Sequence, residues 1–171
     1  MTGLPGVDLG RIALEVSPHE GGVVYALVAA QDEESGFFRS SDFGENWTRQ
    51  SDYIVVDPQY YGELFADPHR PGRICAVDVN IQCTADEGRS FERLPARGVH
   101  VDHHEIVFDP EDPNYMMLGN DGGLYETWDG GENWRHHDNL PITQFYRVSV
   151  DGSSPFAFIY GGTQDNGSIS G

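Results

Sequence analysis

Apolar and polar positions along this chain follow short strand-like patterns, and no stretch of useful length carries the three-to-four-residue spacing of an amphipathic helix. Ile12–Val16 runs into Ser17-Pro18, Glu63–Ala66 into Asp67-Pro68, and Glu105–Phe108 into Asp109-Pro110. Proline lacks a backbone N–H and stops strand pairing, so each segment reads as a first strand with a defined end. A turn follows, and then an apolar second strand: Val23–Ala29, Ile74–Val79 and Tyr115–Gly119. Third strands are predicted at Phe37–Ser41 and Leu124–Thr127, and fourth strands at Trp47–Gln50, Phe91–Leu94 and Trp134–His137. The order starts again with Phe145–Val150 and Phe156–Tyr160. The pattern predicts an all-β chain.

One hairpin signature recurs between the third and fourth strands, in the form hydroxyl-x-Asp-x-Gly-x-x-aromatic. It spans Ser40 to Trp47, Thr84 to Phe91 and Thr127 to Trp134, with Asp42, Asp86 and Asp129 spaced 44 and then 43 residues apart. In each copy the aspartate can accept backbone N–H groups of its own turn and the hydroxyl of Ser40, Thr84 or Thr127. Gly44, Gly88 and Gly131 supply the positive φ that closes the turn, and Trp47, Phe91 and Trp134 bury against the sheet. A repeat of this length points to one small antiparallel sheet per unit, as in a propeller blade. Units are expected at 11–50, 53–95, 101–139 and 143–171. Propellers close with roughly 4–8 blades, so three units and part of a fourth predict an incomplete propeller arc belonging to a longer protein.

Composition narrows the function more than the fold. The formal net charge is −18, and all ten basic residues are arginine. That balance argues against nucleic acid as a partner. It leaves either a solvated acidic surface or a face whose carboxylates hydrogen-bond sugar hydroxyls. No apolar run is long enough to span a membrane, and Met1–Gly6 lacks the features of a signal peptide. Cys75 and Cys83 would face each other across a turn centred on Val79; two buried thiols are preferred to a cross-strand disulfide.

With these motifs the chain resembles the Asp-box (BNR) repeat propellers, a glycosyl-hydrolase-like group that includes sialidases, xyloglucanases and sortilin-type receptors. It is most similar to a bacterial subgroup, through Gly10–Leu14, Leu118–Tyr125, Gln144–Tyr146 and Tyr160–Gly167. The resemblance implies a secreted or periplasmic parent protein with no cofactor. Its partners would be the remaining blades and a carbohydrate ligand at the central opening, bound or hydrolysed. The other implied reading is a non-enzymatic, sortilin-like binding or scaffold propeller with a protein or peptide ligand.

Strand alternation puts the loop before strand one and the turn between strands two and three on the face away from the aspartate hairpins. That face should collect Asp102, His103, His104 and Glu105, then Asn120 and Asp121, then Gln164, Asp165 and Asn166. The histidines admit three readings: structural donors inside the blade, ligands for a sugar, or, with His100, ligands for a metal. Neighbouring strand residues point to opposite sides, which makes His103 and His104 a poor chelate, and no metal site is assigned. Glycoside hydrolysis needs two carboxylates, about 5–5.5 Å apart for retention or 6.5–9.5 Å for inversion. Glu105 lies five residues before Pro110, where xyloglucanase-like relatives carry a catalytic aspartate, and Asp121 is the other catalytic candidate; both Asp121 and Asp165 also fit ordinary turn chemistry. Tyr60 and Tyr61 either stack on a sugar ring or plug the opening. His136 and His137 are expected as exposed edge residues.

Overall fold

The computed structural model describes residues 2–140, 143–164 and 167–170, and among these there is no helix. Four antiparallel sheets follow one another along the chain. The first is β1 (Leu9–Val16), β2 (Val24–Ala30), β3 (Gly36–Ser40) and β4 (Trp47–Ser51). The second is β5 (Leu64–Ala66), β6 (Ile74–Val77), β7 (Ile81–Thr84) and β8 (Glu92–Arg93). The third is β9 (His103–Phe108), β10 (Met116–Asn120), β11 (Gly123–Thr127) and β12 (Arg135–His136). The fourth has three strands, β13 (Phe145–Val150), β14 (Ile159–Thr163) and β15 (Ser168–Ser170). Each sheet is paired in strict sequence order, which is the up-and-down blade of a propeller. The arc is open. The second strand of the fourth sheet lies further along the chain than the predicted Phe156–Tyr160.

The hairpins between third and fourth strands carry the same bonds in all three full sheets. Ser40, Thr84 and Thr127 hydroxyls donate to Asp42, Asp86 and Asp129 at 2.8, 2.7 and 2.8 Å. The same hydroxyl oxygens accept the amides of Gly44, Gly88 and Gly131. Each carboxylate also accepts an amide four residues on, from Asn46, Ser90 or Asn133. These bonds stabilise the ionised form, so all three aspartates titrate at about 2. The aspartates are therefore fully engaged in their own turns.

The sheets pack face to face through two apolar seams. Val23, Tyr25, Leu27 and Phe37 of the first meet Val55, Leu64, Ile74 and Ala76 around the second. Cys75, Val77 and Ile81 of the second meet Ile106, Met116, Leu118 and Tyr125 of the third. The hairpin glycines contribute to this approach. A Cβ on Gly88 would fall 2.0 Å from the Phe37 ring of the neighbouring sheet. Cys75 and Cys83 oppose each other in register across β6 and β7, and a disulfide joins them. This corrects the preference for free thiols: direct cross-strand partners sit within bonding reach, which the sequence spacing allowed without requiring.

A second set of repeated contacts crosses the seams near the ends of the first strands. Ser17, Asp67 and Asp109 each accept amides from the turn that follows, with Asp67 receiving His69 and Arg70 and Asp109 receiving Glu111 and Asp112. The residue after the proline then reaches forward. His19 Nε2 donates to the carbonyl of Asp67 (2.9 Å), and His69 Nε2 to the carbonyl of Asp109 (2.7 Å). Arg70 extends the second link to the Pro113 carbonyl and the Asn114 side chain. Burial works against the Asp67 carboxylate, but the His69 amide and the guanidinium groups of Arg73 and Arg70 outweigh it, and its pKa is lowered.

Candidate functional site

The face away from the aspartate hairpins gathers loops from the second, third and fourth sheets. The buried Asp78 organises its centre. Its carboxylate accepts the amides of Val56 and Asn80, and its carbonyl accepts the amide of His103 (2.8 Å). This holds the segment leading into β9 beside the turn between β6 and β7. Asp102 adopts a positive φ of 64°, and its carbonyl accepts the Asp121 amide. The loop before β9 and the turn after β10 are thereby tied together.

A bulge in β9 then decides where each side chain goes. Glu105 pairs with Gly119 and His103 with Asn120, so His104 is the extra residue. His103 turns inward and is only 2% exposed. Its Nδ1 accepts from the Asn120 amide at 3.3 Å. Burial lowers its pKa to about 4, despite the opposing charges of Asp102 and Asp78, so it is a neutral structural histidine. The expectation that His103 lines an open ligand cleft is corrected accordingly.

His104 turns outward. Its Nε2 meets Asp121 Oδ1 at 2.8 Å, and its ring stacks on Tyr61 with centroids 5.6 Å apart. The Tyr61 hydroxyl donates to Asp102 Oδ1 at 2.9 Å. Desolvation, then the bond to Asp102, pushes the Tyr61 pKa up to about 12. Asp102, His104, Asp121 and Tyr61 therefore form one continuous polar cluster across the seam between the second and third sheets. Asn120 braces it, with its amide nitrogen donating to the His100 carbonyl and its oxygen accepting the Gly122 amide. Tyr60, beside it, is 68% exposed.

On the far side of Asn120 and Asp121 a cleft of about 520 Å³ opens toward the fourth sheet, where Gln144 and Gln164 line it. The Gln164 amide donates to the Gln144 carbonyl, which fixes that wall. Asp165 and Asn166 lie outside the described residues. Glu105 is not in this cleft: it opens into a separate recess of about 280 Å³, shared with Arg11, Glu63 and Phe65. The two catalytic candidates, Glu105 and Asp121, are thus in different recesses. Arg11 and Glu63 form an ion pair across the first seam at that inner wall.

His136 is exposed on the edge strand β12, as expected, with its ring stacked on Tyr125 and its Nε2 against the Gly122 carbonyl. His137 departs from expectation: it is half-buried, and its Nε2 lies 2.8 Å from the buried Glu126. Sequence reasoning missed the linking pair His19 and His69 as well. A histidine directly after the strand-ending proline, at the same place in two repeats, was the available signal. Among the described residues no group of three or more His, Cys, Asp or Glu converges as a metal site.

No protein-family model matches the chain, and no curated protein matches its sequence. Solved structures do. The GH74 enzyme of Niastella koreensis superposes over 88% of this chain with a TM-score of 0.60 and 18% identity. An ancestral GH74 enzyme covers 96% at a TM-score of 0.56, also with 18% identity. The GH74 xyloglucanase of Xanthomonas campestris covers 92% at 0.54 and 18% identity. The fold is that of a β-propeller. The chain spans about a quarter of the length of these enzymes, matching 25%, 23% and 27% of them respectively.

Proposed function

We propose that the chain is part of an Asp-box repeat propeller that binds carbohydrate through the loops on the face away from its aspartate hairpins. The observation that carries this reading is the Asp102–Tyr61–His104–Asp121 cluster, with Asn120 and the exposed Tyr60 beside it. Carboxylates and amides hydrogen-bond vicinal hydroxyls, and an exposed tyrosine ring offers the apolar face of a sugar a stacking platform. The likeness in fold to GH74 enzymes supports the same ligand class, with hydrolysis as the finer form of the proposal. The arrangement favours binding over cleavage, because Glu105 and Asp121 open into separate recesses and hydrolysis needs a facing carboxylate pair. That same separation supports the second reading, a non-enzymatic scaffold propeller with a protein or peptide ligand. A secreted or periplasmic location is part of the proposal and is supported by the Cys75–Cys83 disulfide, since such bonds persist in oxidising compartments.

Calorimetric titration with a panel of β-glucan oligosaccharides tests the reading. Binding that weakens about tenfold or more in Asp121→Asn and His104→Ala is expected, in keeping with the loss of a charge-assisted hydrogen bond. Affinity unchanged in both variants, or no binding to any member of the panel, refutes it. Hydrolysis that persists in Glu105→Gln and Asp121→Asn would remove both from any catalytic role.

A further inference from the structure

The third seam of the arc is built unlike the first two. The first and second seams each combine a buried apolar cluster with a histidine link, His19 to Asp67 and His69 to Asp109. At the third seam the residue after the strand-ending proline is Glu111, and the matching acceptor one sheet on is the carbonyl of Asp151. A glutamate carboxylate has no proton to donate there at neutral pH. The link cannot form.

The sheet faces differ in the same direction. Ile106 and Leu118 face the second sheet, so the alternate residues Glu105, Val107, Met117, Gly119, Leu124 and Glu126 form the opposite face of the third sheet. Its two carboxylates match in number the two charges, Glu15 and Arg39, on the face that closes the first seam, but there Arg39 is paired with Glu87 in the hairpin of the second sheet. Glu126 is only 6% exposed; it accepts the Tyr115 hydroxyl, and Arg135 and His137 lie within ion-pair distance. Pressing an apolar sheet onto this network would strip its remaining hydration at a cost. Among the described residues no buried apolar cluster joins the third sheet to the fourth, and every residue of β13 is exposed. The space holds the polar cleft between Asn120–Asp121 and Gln144–Gln164.

We infer that the seam between the third and fourth sheets is a joint, open in the free protein and closed by a ligand seated across the cleft. The ligand half rests on the carbohydrate reading above; the joint itself rests on the missing link and on the lack, among the described residues, of an apolar cluster at this seam. A polyhydroxylated ligand offers hydroxyls to both walls at once. It bridges Asn120 and Asp121 on one wall and Gln144 and Gln164 on the other, without an apolar sheet having to close over Glu126.

Amide hydrogen exchange on the 171-residue chain tests this in two separable steps. In the free protein, β13–β15 amides are expected to exchange at least about tenfold faster than those of the central strands β2, β6 and β10. Glu111→His, which restores the donor, should slow exchange in β13–β15 several-fold. The reciprocal His69→Glu should speed exchange in β9–β12. Protection of the fourth sheet equal to the other three, or no response to Glu111→His in a folded variant, overturns the joint. Cellohexaose is the ligand probe, and it should slow exchange in both Gly119–Gly123 and Phe145–Thr163. Cellohexaose that binds by calorimetry without this protection overturns closure by ligand. Cellohexaose that does not bind, with the Glu111→His slowing intact, refutes the carbohydrate reading and leaves the joint standing.

Discussion

Replacing Gly88 by alanine, beside the same change at Gly44, separates two jobs that one glycine performs in the aspartate hairpin. Both residues hold a positive φ, 94° and 88° respectively, which an L side chain resists at about 1–2 kcal/mol. Their surroundings differ. At Gly44 a new Cβ meets only the Trp47 ring of its own hairpin, at 3.4 Å. At Gly88 it falls 2.0 Å from Cδ1 and 2.2 Å from Cε1 of Phe37 in the preceding sheet. Phe37 is fully buried, with Tyr25 stacked 5.9 Å away and Phe91 edge-on at 5.3 Å, so it has nowhere to turn. Overpacking of that kind adds about 1–3 kcal/mol, and an overlap this deep belongs at the upper end. Gly44→Ala should therefore cost about 1–2 kcal/mol and Gly88→Ala about 3–5 kcal/mol. Urea denaturation followed by tryptophan fluorescence gives both numbers. In a chain of this size each kcal/mol also lowers the melting temperature by about 2–4 °C. Equal losses at the two positions would mean that the glycine serves only its own turn and that the seam does not depend on it.

Other consequences are as direct. Because Asp42, Asp86 and Asp129 titrate at about 2 in the folded chain against an ordinary 3.8, their contribution is complete above about 3.8 and disappears as pH falls through 2; melting temperatures measured down this range should drop, and Asp86→Asn should flatten the drop. His103 runs the other way from a paired histidine: with its pKa lowered from 6.5 to about 4, the unfolded chain takes up the proton first, so stability should decline from pH 6.5 to 4 and level off below, and its ring resonances should show no titration above about pH 5. Opening the disulfide, whose cysteines are eight residues apart, should cost about 2–3 kcal/mol by loop-closure entropy, read from denaturation of Cys75→Ala/Cys83→Ala beside the oxidised chain.

The aspartate hairpins were legible in the sequence because all their bonds close within four residues. Ser40, Asp42, Gly44 and Asn46 need only local chain geometry to find one another. The same locality made the strand order and the face of the candidate site readable. It also hid nothing about Asp121 and His104 except their pairing, which joins the bulge of β9 to a turn 17 residues away. The contacts that bind sheet to sheet are of another kind. His19 reaches Asp67 and His69 reaches Asp109 across 48 and 40 residues, and only the stacking of one sheet on the next brings those carbonyls within range.

The sequence alone therefore determined the repeating unit, its antiparallel order and the loops that share a face, because these follow from side-chain period, turn chemistry and proline stops. Tertiary structure decided what each candidate residue does. A single extra residue in β9 buried His103 and exposed His104, since a bulge reverses which side of the sheet the following positions face. Packing between sheets placed Glu105 and Asp121 in different recesses, and among the described residues it left the third seam without the apolar cluster and histidine link of the first two. Period and spacing act along one strand or one turn. Burial and partnership depend on what the neighbouring sheet presents, and that is fixed only when the sheets stack.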